Sequence, residues 1–280
     1  MSPQKRGGGG GRRRPPPGGA RRPGPPARTG RSRGLGGEQI EGRQAVRELL
    51  LAGRRQVREV WMLAEQDPAP ILEDIVAIAE AEHVQMREVG RTKFFAAARC
   101  EAPQGVLAMA APLPESSLDD LTATPPGSVP PFLVAVDGVT DPGNLGALLR
   151  SAECAGATGI VLPRHRAVHI TPTVTKAAAG AVEHLACAVV GGLPAALQQL
   201  QRAGAWIVGL DGEGTVDLWS LPAADGPIVL VLGAEGSGLS RLAKQRCDAL
   251  VRIPLQGSLA SLNVAAAGAL ACFEVARARA

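Results

Sequence analysis

From residue 132 onward, six short apolar runs alternate with helical segments: 132–137, 159–162, 186–190, 205–210, 227–232 and 249–254. Ile228-Val229-Leu230-Val231-Leu232 has no polar residue at either parity. A strand with one wet face alternates apolar with polar. A parallel strand buried between two helical layers reads as unbroken apolar sequence instead. This region is therefore expected to be α/β, a parallel sheet covered by helices on both faces. An Ala-rich stretch, 261–278, predicts a long closing helix. Aromatic residues are 2% of the chain, with no Tyr, so the core must be built from Ala, Val, Leu and Ile.

The earlier part is different. Residues 1–37 hold nine Arg and one Lys with no acid, together with 12 Gly and seven Pro. Such a segment buries too little apolar surface to offset ordering entropy and is expected to be a disordered tail. The rest of the chain has 20 basic and 26 acidic residues, so the basic character belongs to the tail. Between 38 and 111 the patterns predict a helix over 39–52, strands over 57–63, 84–89 and 105–110, and a helix over 69–82. That is a small α/β domain. The Pro-rich stretch 112–131 reads as a linker to the catalytic region, 132–280.

Several classes are excluded by pattern. No apolar run approaches the length of a membrane-spanning helix, and no apolar stretch follows the charged start as in a secretory signal. The five Cys are scattered without a C-x-x-C pair, so neither a disulfide framework nor a zinc ribbon is expected, and the default compartment is the cytoplasm. His165 and His169 lack a third ligand, so no metal site is expected. There is no Walker A loop and no nucleophile elbow, and Gly236 and Gly238 lead to Arg241 where a dinucleotide fingerprint needs a third Gly.

In open parallel sheets, ligands bind where loops leave the carboxyl ends of strands. Three such loops are rich in Gly and polar residues: 137–146, 232–240 and 253–263. In the first, Asp141 and Pro142 form a cap and first-turn pair, predicting a helix over 142–155 ended by Gly156. Asn144 would lie in its first turn. Arg150 follows six residues later, placed to fold over Gly146 and suited to a phosphate or carboxylate. In the second, Glu235 ends a wholly apolar strand. In the third, Ser261 is the expected cap of the closing helix, with Asn263 two residues on.

The blocks DPGNLGALLRSA (141–152), LGAEGSGLS (232–240) and IPLQGSLASLNVAAA (253–267) together resemble the SpoU/TrmH group of the SPOUT methyltransferase superfamily. The segment from Lys176 to Glu183 resembles that group's intervening helix. EGRQAVRELL (41–50) and PQGVLA (103–108) resemble the small substrate-binding domain, similar in fold to ribosomal protein L30e, of bacterial 23S rRNA guanosine-2′-O-methyltransferases. This chain has Pro103 where that subgroup carries a His. The resemblance implies a deep trefoil knot in the parallel-sheet domain, S-adenosylmethionine as cofactor, RNA as partner and a homodimer joined through the knot. It implies that Gly233, Ile253, Leu262, Leu210 and Leu255 hold the cofactor. Arg150, Asn144, Glu235, Ser261 and Asn263 would form the catalytic set.

These residue types suit the chemistry. A ribose hydroxyl is a poor nucleophile, and the methyl donor is already a sulfonium. The protein must therefore supply orientation, deprotonation and a place for charge, with no metal. The loops hold no His, and Arg stays protonated, so Arg150 reads as an electrostatic activator rather than a base. The 2′-OH selects RNA over DNA. Candidate RNA contacts in the small domain are Arg43, Arg54, Arg55, Arg58, Arg91 and Lys93. The resemblance leaves the target nucleotide open: a tRNA and a resistance-type rRNA methyltransferase belong to the same family. A non-catalytic ribosome-assembly factor would also keep the fold. Its mark would be loss of Arg150, Glu235 or Asn263, and all three are present.

Overall fold

The computed structural model describes residues 35–165, 167–221 and 224–280. All but the last three residues of the basic tail lie outside these limits. A seven-stranded sheet is built from β5 (Phe132–Asp137), β6 (Gly159–Pro163), β7 (Ala186–Val190), β8 (Trp206–Leu210), β9 (Val216–Asp217), β10 (Ile228–Gly233) and β11 (Ala249–Arg252). Its order is β7-β6-β5-β10-β8-β11-β9, with every pairing parallel. The unbroken apolar runs have the predicted cause. Along β10, Ile228, Leu230 and Leu232 enter the core on one face, while Val229 and Val231 enter the core on the other. Helices α5 (Pro142–Cys154), α6 (Pro172–Ala177) and α9 (Val264–Arg279) cover the first face. Helices α7 (Leu193–Arg202) and α8 (Arg241–Lys244) cover the second.

A separate four-stranded sheet, ordered β1-β4-β2-β3, spans β1 (Gln39–Glu41), β2 (Val57–Leu63), β3 (Gln85–Val89) and β4 (Val106–Ala110). Helices α1 (Arg43–Ala52) and α2 (Pro70–Ala81) pack on one face around Ile40, Leu49 and Ile75. The other face carries the short α3 (Arg91–Ala97). Two expectations change here. Gln39–Glu41 is a strand rather than the start of a helix, because it pairs with β4 in antiparallel register. The stretch 112–131 is not a bare linker: α4 (Leu118–Thr122) opens with a Ser117–Asp120 capping box, and Leu113 and Leu121 are buried.

The small sheet's first helix docks on the turn after α6. Gly180 has φ +88° and lies against Glu48 and Ala45, where a Cβ would not fit. Arg54 Nη1 donates to the carbonyls of Glu183 (3.1 Å) and Leu185 (2.7 Å). Arg55 makes a two-pronged pair with Glu183, its Nε donating to Oε2 at 2.8 Å and its Nη2 to Oε1, and both side chains are fully buried. Arg54 and Arg55, expected as RNA contacts, are thus structural: their guanidinium groups are spent on protein acceptors. Among the described residues no helix is long and apolar enough to cross a membrane. No cluster of three or more His, Cys, Asp or Glu among them could hold a metal ion.

Candidate functional site

The three Gly-rich loops meet at the carboxyl ends of β5 and β10 and before α9. Asp141 caps α5, its Oδ1 accepting from the Asn144 N–H at 2.7 Å, with Pro142 at the first helical position. That fixes Asn144 in the first turn. The second loop closes as a tight hairpin: Ala234 and Gly238 exchange both backbone hydrogen bonds, at 3.0 and 2.9 Å. Gly236 and Gly238 adopt φ +78° and +63°, a region that admits Gly without strain. Glu235 is held on this hairpin. Asp137 at the end of β5 accepts from the Ser240 N–H at 2.7 Å, tying the first loop to the second.

One residue from each loop then joins a single network. Glu235 Oε1 accepts from Asn144 Nδ2 at 2.7 Å and from Asn263 Nδ2 at 2.8 Å. Asn263 Nδ2 also donates to Asn144 Oδ1 at 2.9 Å. Two amides pointed at one carboxylate oxygen form charge-assisted bonds, and they fix both Asn side chains. Glu235 Oε2 has no hydrogen-bond partner among the described residues.

This network stands at the rim of a cavity of about 610 Å³, whose lining includes Gly233, Glu235, Gly236, Ser261, Leu262 and Asn263. A second cavity of about 150 Å³ shares Leu210, Ser261 and Leu262 and adds Ile253, Leu255 and Asp211. All five residues expected to hold a cofactor line one or both. The space suits a nucleoside carrying an amino-acid chain: an apolar slot for a base beside a wider chamber walled by backbone, within the range of about 300–1,000 Å³ usual for small-molecule sites. Asp211 is half of an ion pair, with Lys244 Nζ at 2.5 Å. Burial pushes its carboxyl up, but the Lys244 bond and the Glu213 N–H outweigh it and hold it below the usual range. Asp211 and Gly212 follow β8, and no loop motif had marked them. Their position just past an apolar strand was the available signal.

Two expectations fail locally. Ser261 does not cap the closing helix: Asn263 does, its Oδ1 accepting from Ala265 N at 2.9 Å and Ala266 N at 3.3 Å, so the helix starts at Val264. Asn263 therefore uses both ends of its amide, one for the helix and one for the network. Ser261 stays on the cavity lining. Nor does Arg150 fold over Gly146. Gly146 is buried against Ala177 at the end of α6 and the backbone of Ala178 just after it, which fill that space. Arg150 is exposed, has no hydrogen bond or ion pair among the described residues and lines neither cavity.

Gly233 sets the chamber wall. A Cβ there would fall on the backbone of Gly238 and Leu239, which are fixed by the hairpin. Gly233→Ala is expected to destabilise the protein by about 1–3 kcal/mol, as overpacking does, and to abolish measurable cofactor binding. Thermal melting and calorimetry on the variant test this; unchanged cofactor affinity would refute it.

Residues 131–273 match the family model described as the SpoU rRNA Methylase family, and residues 39–116 match that described as RNA 2′-O ribose methyltransferase substrate binding. The chain belongs to the SpoU rRNA methylase family. This SpoU-family chain is 39% identical over 245 residues to a 23S rRNA (guanosine-2′-O-)-methyltransferase, RlmB, of Pseudomonas syringae pv. tomato, covering 86% of this chain and 96% of that one. It is 28% identical to an AdoMet-bound rRNA methyltransferase from Sinorhizobium meliloti, with TM-score 0.67 over 86% of this chain and 87% of that one. The SpoU methyltransferase AviRb from Streptomyces viridochromogenes has the same fold, with TM-score 0.71 and 24% identity over 86% of this chain and 89% of that one.

Proposed function

We propose that this chain methylates a ribose 2′-OH in RNA, a guanosine of 23S rRNA, using S-adenosylmethionine. The observation that carries the reading is the Asn144–Glu235–Asn263 network, one residue from each loop, at the rim of the Gly-walled cavity. The names of the relatives and the match of residues 39–116 to a substrate-binding model supply the substrate.

Bound at this site, S-adenosylmethionine would supply an electrophilic methyl group. Leu210, Ile253, Leu255 and Leu262 would enclose its base, and Gly233 would let the backbone approach it. Glu235, fixed by two amides, has one free carboxylate oxygen to accept a hydrogen bond from ligand or ribose. Ser261 adds a hydroxyl on the same wall. Arg150 is assigned to the ribose hydroxyl, where a fixed positive charge lowers the cost of deprotonation, acting with a substrate phosphate. Its lack of a hydrogen bond or ion pair among the described residues suits a group whose partner is the RNA.

The rest of the reading follows the same family. The small domain, 38–111, is assigned an L30e-like fold and RNA binding, joined through 112–131 to the catalytic domain, 132–280. The disordered arm expected over 1–37 is assigned to 1–34 only: Leu35 is buried in the core, Gly36 N donates to the Ile170 carbonyl at 3.1 Å, and the Leu35 carbonyl accepts from Leu113 N at 2.8 Å. The closing segment is assigned to a trefoil knot. This is supported by the path of the chain, which leaves β11 beside β8 and returns with α9 on α5 and β10. The assembly is a homodimer in the cytoplasm. Leu270 and Phe273 on α9 are 41% and 51% exposed beside α5, an apolar stripe suited to a second copy.

Calorimetry with S-adenosylmethionine and S-adenosylhomocysteine, without added metal, should show binding of both. Mapping of 2′-O-methyl groups after incubation with unmodified 23S rRNA should show one new guanosine site. No binding of either cofactor form would sink the assignment.

A further inference from the structure

The chain has only seven aromatic residues, four Phe and three Trp. Three of them, Trp61, Phe94 and Phe95, lie together on the α3 side of the small sheet. Phe94 is buried against Val89 and Leu107 and packs edge-on to Phe95, with ring centroids 5.5 Å apart. Phe95 remains 45% exposed. The Arg91 guanidinium stands over the Phe95 ring at 5.1 Å, and the Lys93 ammonium stands over Trp61 at 5.0 Å.

The platform is braced from beneath. Glu41 is fully buried and accepts from Arg99 N and Gln39 Nε2, both at 2.7 Å, and from Cys100 N at 2.9 Å. Gln39 Nε2 also donates to the Ala97 carbonyl at 2.9 Å. These bonds pin the chain just after α3 to the sheet. The helix itself is held by Phe94, which leaves its outer side rigidly presented.

Charge singles out the same place. Between 38 and 111 there are nine cations. Six are engaged by protein groups: Arg43 with the Gln104 carbonyl, Arg47 with Asp74, Arg54 with Leu185, Arg55 with Glu183, Arg58 with Ala110, and Arg87 with Glu59. The other three, Arg91, Lys93 and Arg99, sit in one 11-residue stretch, 90–100, that holds no acid. None of the three makes an ion pair among the described residues.

We infer that Phe95, with Arg91 over its ring and Lys93 over Trp61 on the other flank of the same short helix, is a stacking platform for an unpaired nucleotide of the RNA substrate. The inference rests on the RNA-methylating reading above and adds the place where the small domain grips the polymer. An unstacked base gains from an aromatic face whatever its identity, and neighbouring cations meet the phosphates on either side. An exposed aromatic ring on a short helix whose cations make no ion pair among the described residues offers both at once.

The test uses the full chain and unmodified 23S rRNA. Phe95→Ala should weaken rRNA binding roughly tenfold, within the range for loss of one stacked base, whereas Phe95→Trp should retain it. Arg91→Gln with Lys93→Gln should lower the slope of log affinity against log salt by about 1.4, two phosphate contacts to single-stranded RNA. S-adenosylmethionine binding should be unchanged in all of them. If the wild-type chain methylates rRNA while Phe95→Ala binds it equally well, the platform is wrong and the functional reading stands. A wild-type chain that binds cofactor but neither binds nor methylates rRNA sinks both. Variants that bind naked rRNA normally but fail on the assembled ribosomal particle would assign the patch to a protein instead and overturn the RNA assignment.

Discussion

Arg55→Ala is expected to cost about 3–5 kcal/mol of stability, the scale for removing one partner of a buried ion pair. Arg55 and Glu183 have fully buried side chains and join the small sheet to the catalytic one through two parallel hydrogen bonds. Arg55 Nη1 also donates to the Gly37 carbonyl at 3.1 Å, so truncation orphans more than the carboxylate. Burial pushes the Glu183 carboxyl up, and the Arg55 guanidinium opposes that shift. With Arg55 gone, the shift loses its main opposition and only the weaker pull of Arg54 and His184 remains. A carboxyl whose folded-state pKa lies above its unfolded value destabilises most when ionised in the fold; the penalty fades as pH falls through the folded-state value and is gone below the unfolded value, near 4.3 for Glu. The deficit of Arg55→Ala relative to wild type should therefore shrink as pH is lowered from 8 toward 5. The double variant Arg55→Met with Glu183→Leu should recover most of the loss, because it removes both desolvation penalties. Urea unfolding of wild type and both variants across that pH range provides the measurement; a deficit that grows toward low pH would contradict the account.

How much of this was legible in the sequence depends on the range of the interaction that decides each element. The seven-stranded sheet was readable because each strand declares its own burial: β10 has apolar residues at both parities, and only a two-sided parallel setting explains that. The cap at Asp141 was readable because it is made three residues away. Gln39–Glu41 was misread because its partner, Leu107–Met109, lies far along the chain. The α3 segment gives no periodic signal and is fixed by Phe94 packing and by the buried Glu41. At the site, Asn144, Glu235 and Asn263 could be named one at a time. Their mutual hydrogen bonds span 91 and 119 residues and had no local trace. Ser261 and Asn263 were both credible caps, and only the geometry of the first turn separates them. Arg54 and Arg55 read as surface cations because nothing local shows that the acceptors Glu183 and Leu185 come to meet them.

Arg150→Ala and Arg150→Lys are both expected to lose methyl transfer by at least about a hundredfold, a typical scale for removing a group that acts on the reacting proton. Both should keep cofactor affinity and stability. The structure sharpens this expectation. A bracing Arg would be tied to neighbouring carbonyls or carboxylates, as Arg54, Arg55 and Arg279 are. Arg150 is exposed on α5 with no such bond among the described residues, so truncating it removes no structural support. It lines neither cavity, so the cofactor site should not register its loss. The role proposed for it is therefore toward the substrate. Lys keeps the charge but loses the planar fork that can hold a phosphate and a ribose oxygen together. The Lys variant therefore separates a general electrostatic attraction from an oriented contact at the hydroxyl. Single-turnover assays with saturating cofactor and unmodified rRNA, with melting temperature and RNA affinity measured alongside, decide between them. Near-normal chemistry in Arg150→Lys would remove Arg150 from the proton-activating role, and a parallel fall in melting temperature would return it to the scaffold.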